Sequence, residues 1–206
     1  MKERPILFSA PMVRAILAGA KTQTRRVVKP QPEAEHGGEP YWFVGGYRAW
    51  TYRDTQDVLR QGGSVLPCPY GQPGDRLWVR ETWSHDAISL DACRAAHEDL
   101  MGGMSYGPYY RATEVAPDTL VWRPSIHMPR WASRILLEVD SVRVERLQAI
   151  SRGDAMAEGC PFPNMAAGPN PLDWFKGLWT DLNGPDSWTA NHWVWVINFK
   201  RLEARP

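Results

Sequence analysis

Cysteine is scarce in this 206-residue sequence: Cys68, Cys93 and Cys160 are odd in number, far apart and never in a Cys-x-x-Cys pair. That argues against a disulfide framework and against a cysteine-built zinc site. The five histidines show no His-x-x-x-His spacing, so no protein-held metal and no other cofactor is expected. No run of about eighteen apolar residues occurs. The opening Met-Lys-Glu-Arg-Pro is not followed by a signal core, because Ser9 and Pro11 interrupt Ile6 to Phe8. A soluble, cytoplasmic protein with no membrane partner is the expectation. Excess charge is also missing: 24 basic and 23 acidic residues leave a formal net charge of +1. Without a global basic field, any contact with nucleic acid should be local.

What is present is a chain that is 43% hydrophobic and rich in tryptophan, with eleven. It can bury a full core as one domain over 1–206. Most of the tryptophans should pack inside it, although aromatic faces also stack on bases. Nineteen arginines stand against five lysines, which suits planar or phosphate recognition and equally suits a GC-rich genome.

The stretch Ile16-Leu-Ala-Gly-Ala-Lys-Thr-Gln-Thr-Arg-Arg-Val-Val28 concentrates the candidate chemistry. A short strand, Pro5 to Phe8, leads into a helix capped at Ser9 or Ala10 with Pro11 in its first turn. The helix runs to about Ala18, and Gly19 stops it without steric cost. An amine, two hydroxyls and two guanidiniums follow at once on Lys21, Thr22, Thr24, Arg25 and Arg26. The next strand begins near Thr24. Polar side chains at such a junction are rigidly held yet exposed. An ordinary solvated loop is the plainer account of any one of them, but not of the cluster.

Further along, 30–73 is rich in Pro, Gly and aromatics, with Gly45-Gly46 as a candidate hairpin turn. After a turn at Gly74-Asp75, Arg76 to Trp83 alternates as a half-buried strand, with Leu77, Val79 and Glu81 on one face. A carboxylate on that face needs a partner or a job, and an arginine salt bridge is the simplest partner. The stretch 84–131 is loose. It offers a short helix near 91–100, a glycine-rich Met101 to Met104, a strand-like 109–113, and a proline-fixed segment carrying His127, Arg130 and Trp131. Arg134 to Leu147 is long enough for two strands or one bent strand. Ser151 to Gly159 reads as a capped helix that ends in Glu158. Leu172 to Leu182 reads as an amphipathic helix whose stripe of Leu172, Phe175, Leu178, Trp179 and Leu182 belongs to the core. Trp193 to Leu202 reads as a strand that is central or paired deep in a sheet.

This order of elements resembles the ASCH family, a branch of the PUA-like proteins. The residues that carry the resemblance are Ile16 to Arg26, Gly74-Asp-Arg-Leu-Trp-Val-Arg-Glu81, Asp154-Ala-Met-Ala-Glu-Gly159 and Trp193-Val-Trp-Val-Ile197. In wording they are most similar to larger, phage- or prophage-type members. The resemblance implies an α+β fold, a small mixed β-barrel with flanking short helices, carrying two long insertions at about 30–73 and 84–131. It also implies kinship with a bacterial amidohydrolase that deacetylates N4-acetylcytidine through a Lys, a Thr and a Glu. By motif these fall on Lys21, Thr24 and Glu158.

Such a trio suits acyl transfer, which needs a nucleophile, a base and an acid for the leaving amine. Thr24 would attack with Lys21 as its base, and Glu158 would protonate the leaving nitrogen. Lys21 must then be neutral near pH 7, which burial and the neighbouring Arg25 and Arg26 favour. Arg26 would orient the substrate or stabilise the oxyanion. Arg25, Glu81, Trp83 and His127 complete the candidate binding set, with a nucleoside or RNA as the partner. A non-catalytic module that binds RNA or a modified base is the main alternative, and there Lys21 stays protonated. An RNA-cleaving relative and a phage structural or counter-defence protein are further ones.

Overall fold

The computed structural model describes residues 1–32, 34–36, 39–44, 47–51, 64–86, 89–98, 107–114, 120–162 and 168–202. The Gly45-Gly46 turn and Met101 to Met104 lie outside them. The fold is α+β. Eleven strands are described: β1 (Glu3–Leu7), β2 (Gln23–Val27), β3 (Ala34–His36), β4 (Glu39–Val44), β5 (Tyr47–Thr51), β6 (Ser64–Leu66), β7 (Arg76–Arg80), β8 (Trp83–Ser84), β9 (Tyr109–Tyr110), β10 (Leu136–Arg146) and β11 (Trp193–Leu202). The helices are α1 (Ala10–Leu17), α2 (Leu90–Glu98), α3 (Arg152–Ala157) and α4 (Pro171–Asn183), with single 3₁₀ turns between elements.

Five strands make the main sheet in the order β1-β7-β10-β11-β2. β1 runs parallel to β7, and the other neighbours are antiparallel. β11 is an interior strand paired on both sides, by β10 and β2, as its aromatic and branched residues predict, and its first five side chains are all buried. Its alternation serves two cores. Trp195, Ile197 and Phe199 join Ile6, Val13, Ile16, Val79 and Leu137 on one face. Val194 and Val196 join Leu147, Ala155, Phe175 and Trp179 on the other, under α3 and α4. A strand covered on both faces must be apolar at successive positions, not at alternate ones.

β10 is one strand whose register with β11 shifts between Val139 and Ser141, a bulge at Asp140. The strand expected over 76–83 is shorter than its alternation suggests. β7 ends at Arg80, and Trp83 and Ser84 pair instead with β9 in a separate two-stranded sheet. Residues 34–66 supply a third sheet, β3-β4-β5-β6, in which Val44 lies opposite Tyr47. No helix among the described residues is long and apolar enough to cross a membrane.

Candidate functional site

Local sequence builds the two halves of the site. Gly19, at φ +73°, ends α1 in the left-handed region and turns the chain so that Lys21 and Thr22 meet the end of α3. α3 is held by a reciprocal cap: Ser151 Oγ accepts from the Asp154 N–H at 3.0 Å, and Asp154 accepts from the Ser151 N–H at 3.2 Å. Glu158 follows as its C-cap residue. The two segments join as a backbone bridge between Lys21 and Glu158, flanked by Thr22 N–H donating to the Ala157 carbonyl at 2.8 Å.

That bridge sets the side chains. Lys21 Nζ donates to Glu158 Oε2 at 2.7 Å and to the Glu158 carbonyl oxygen at 2.8 Å, with the lysine side chain fully buried. Burial pushes the Lys21 amine below the ordinary lysine value. Glu158 opposes this, while Arg26 and Arg25 push the same way. Gly159 makes the contact geometrically feasible. Its φ is +96°, and a Cβ there would stand 3.1 Å from Ala15 Cβ and 3.2 Å from Lys21 Cβ. Gly159→Ala is therefore expected to cost roughly 1–3 kcal/mol by urea unfolding, from left-handed strain and displacement of Lys21. An equally stable variant with wild-type activity would contradict this.

Arg25 is also fully buried and faces a set of carboxylates. It donates to Glu158 Oε1 at 3.2 Å, to Gln23 and to Glu145, and stands 3.5 Å from Asp154. Arg143 adds bonds to Asp154 at 2.9 Å and Glu145 at 3.0 Å, and Gln23 ties Asp154 to Asn198. Three cations, Lys21, Arg25 and Arg143, thus match three carboxylates, Glu145, Asp154 and Glu158. Burial alone would raise the Asp154 carboxyl. Hydrogen bonds from Gln23 and Ser151, with the Arg25 charge, outweigh it and hold that carboxyl well below the ordinary range.

Beside this network lies a cavity of about 700 Å³ that Thr24, Arg25, Arg26 and Glu158 help to line. Lys21 sits behind Glu158 and not on the wall. β2 forms one side, Leu7 and Phe8 the end of β1, and Met12 comes from α1. Arg26 spans the gap between the two edge strands, donating to the Leu7 carbonyl at 2.7 Å with its guanidinium 5.3 Å from the Phe8 ring centroid. α4 closes another side and corrects the core stripe expected for it. Phe175 and Trp179 are buried, whereas Leu178 and Leu182 face the cavity and Leu182 is 54% exposed. An apolar stripe five positions wide serves two surfaces here.

The structure brings Lys21, Thr24, Arg25, Arg26 and Glu158 together. It places Glu81, Trp83 and His127 elsewhere. Glu81 is buried in a two-bond ion pair with Arg134, at 2.9 and 3.0 Å. Trp83 is 1% exposed, edge-on to Trp131 and packed with Tyr110 and Met128. His127 is exposed on a 3₁₀ turn. Their neighbours Thr82 and Ser125, but not they, reach the cavity wall. Phe8, Tyr70, Lys29 and the α4 leucines are lining residues that no motif signalled. Among the described residues no group of three or more His, Cys, Asp or Glu side chains is arranged to hold a metal.

Fold and site together define an α+β protein with a buried lysine–carboxylate pair beside a half-apolar cavity. No protein-family model matches the chain, and no curated protein sequence matches it. Among solved structures, it is similar to an ASCH domain from Lactobacillus crispatus JV V101. Identity is 12%, over 97% of this chain and 79% of that one, with a TM-score of 0.40. A likeness at that level says nothing about activity.

Proposed function

We propose that this chain is an amidohydrolase that removes the acyl group from N4-acetylcytidine or a related N-acylated pyrimidine nucleoside, with Thr24, Lys21 and Glu158 as its reacting groups. The observation that carries the reading is the hydrogen bond between Lys21 and Glu158, 137 residues apart in sequence and joined at 2.7 Å, with Thr24 on the adjoining cavity wall. The pair can exist as ammonium and carboxylate, or as amine and carboxylic acid after one proton shifts between them. The second form supplies a base and an acid at once. Burial of the amine favours it.

In the acylation step Thr24 Oγ bonds to the acyl carbon and its proton passes to Lys21. The carbon–nitrogen bond breaks, and the leaving N4 nitrogen takes the Glu158 proton. Water then attacks the Thr24 ester, giving a proton to the Glu158 carboxylate. The Lys21 ammonium returns a proton to the departing Thr24 oxygen. The carboxylic acid leaves, and the neutral pair is restored. Arg26, on the cavity wall, would orient the substrate, and the rings of Phe8, Tyr70 and Trp179 also line the cavity.

The test is release of cytidine from N4-acetylcytidine by purified protein. Thr24→Ala, Lys21→Ala and Glu158→Ala, each shown to be folded, should each lose at least about 100-fold in kcat/KM. The paired state itself supports a second reading, because a Lys21 ammonium held by two Glu158 oxygens is what a base-binding module would keep. Tight nucleoside binding with no turnover in the wild type would select that reading over the hydrolase.

A further inference from the structure

The cavity has a cationic side outside the Lys21, Thr24 and Glu158 trio. Arg26 and Lys29 both line it, three positions apart where β2 ends, and neither has a carboxylate at ion-pair distance among the described residues. Among the described residues Glu158 is the one carboxylate on the wall, and Lys21 and Arg25 already occupy its two oxygens. Arg26 is fixed by the Leu7 carbonyl and the Phe8 ring, which leaves guanidinium N–H groups to spare. Burial lowers its pKa, with Tyr70 and Glu158 opposing, so its surroundings desolvate the cation without pairing it. Lys29 is exposed at the same strand end. Placed this way, the two offer a planar fork and a mobile point charge.

We propose that Arg26 and Lys29 form a phosphate subsite in the Thr24 cavity, so that its substrate is an acylated nucleoside 5′-monophosphate and not the free nucleoside. The proposal rests on the nucleoside reading of the cavity and adds the substrate's charge to it. Two cations lining one cavity match one dianionic phosphate. A polynucleotide would call for a track of cations along its backbone, whereas the lining here also includes the apolar Met12, Leu178, Trp179 and Leu182.

Calorimetric binding of cytidine, cytidine 5′-monophosphate and an unphosphorylated cytidine trinucleotide to the full chain tests this without any turnover. The monophosphate should bind roughly tenfold or more tighter than cytidine, a preference that inorganic phosphate competes away. In Lys29→Ala the ratio of the two affinities should fall towards one. That variant changes an exposed side chain, whereas Arg26→Ala also removes the bond to Leu7 and risks the fold. Equal affinities for cytidine and its monophosphate would overturn the subsite while leaving the hydrolase reading intact. A trinucleotide that binds tighter than the monophosphate would overturn it in favour of a polymer. A monophosphate preference without hydrolysis of any acylated form would keep the subsite and remove the hydrolase.

Discussion

Lys21→Met is expected to destabilise the protein by about 3–5 kcal/mol, because it strands Glu158 in the interior with Arg25 as the remaining cation at ion-pair distance among the described residues. The cost comes from the group left behind more than from the bond removed. Lys21→Met combined with Glu158→Leu should therefore recover much of the loss, as apolar replacements of buried ion pairs often do. Urea unfolding of the wild type, the two single variants and the double variant completes the cycle. A double variant as unstable as the sum of the singles would show that the two side chains are not coupled. Activity should follow the opposite pattern: the double variant is stable and inert. That divergence separates a pair kept for chemistry from one kept for folding.

Arg25→Met is expected to have the other large effect. The side chain is wholly buried and serves Glu158, Glu145 and Asp154, so its removal should cost roughly 3–5 kcal/mol at neutral pH. Arg25→Lys should restore little, since one ammonium cannot address Glu158 and Glu145 from two separate nitrogens. The loss should depend on pH. Asp154 titrates below its ordinary value in the folded protein, through its bonds to Gln23 and Ser151 and the Arg25 charge acting against burial. A depressed folded pKa gives stability that is fully present above the unfolded value of about 4 and is lost progressively as the pH falls from there through the lower folded value. Without Arg25 the Asp154 shift shrinks, so less stability remains to be lost in acid. The gap between variant and wild type, read from denaturant midpoints, should be widest near pH 7 and narrow towards pH 3. A gap that stays constant would mean that Arg25 acts through packing against Phe175, whose ring centroid lies 5.7 Å from its guanidinium carbon, and not through charge.

Wherever structure follows from interactions within a few residues, it was legible in the sequence. Ser151 and Asp154 announced the cap of α3, Gly19 and Gly159 marked the turns, and the aromatic run from Trp193 announced the interior strand β11. Glu81 with its arginine partner was foreseen as a type of contact, although Arg134 could not be chosen from nineteen. Trp83 and His127 stood out as candidates through residue type, and both proved to lie off the cavity wall. Arg25 stood out with its neighbours in the turn and does reach the cavity wall, but the carboxylates that engage its guanidinium, Glu145, Asp154 and Glu158, lie more than a hundred residues away and could not be chosen from the sequence.

Local propensity and side-chain pattern thus settled the elements and the two halves of the candidate site, the Lys21 turn and the Glu158 cap, since capping, turn geometry and periodicity act over one or two helical turns. Their meeting was decided by the fold, through a sheet in which β11 separates β10 from β2 and so carries α3 to the end of α1. The same long-range packing turned Leu178 and Leu182 towards the cavity and left Arg26 and Lys29 on its wall with no carboxylate at ion-pair distance among the described residues. Burial and charge balance are sums over residues distant in sequence, and they take definite values only once the chain has closed on itself.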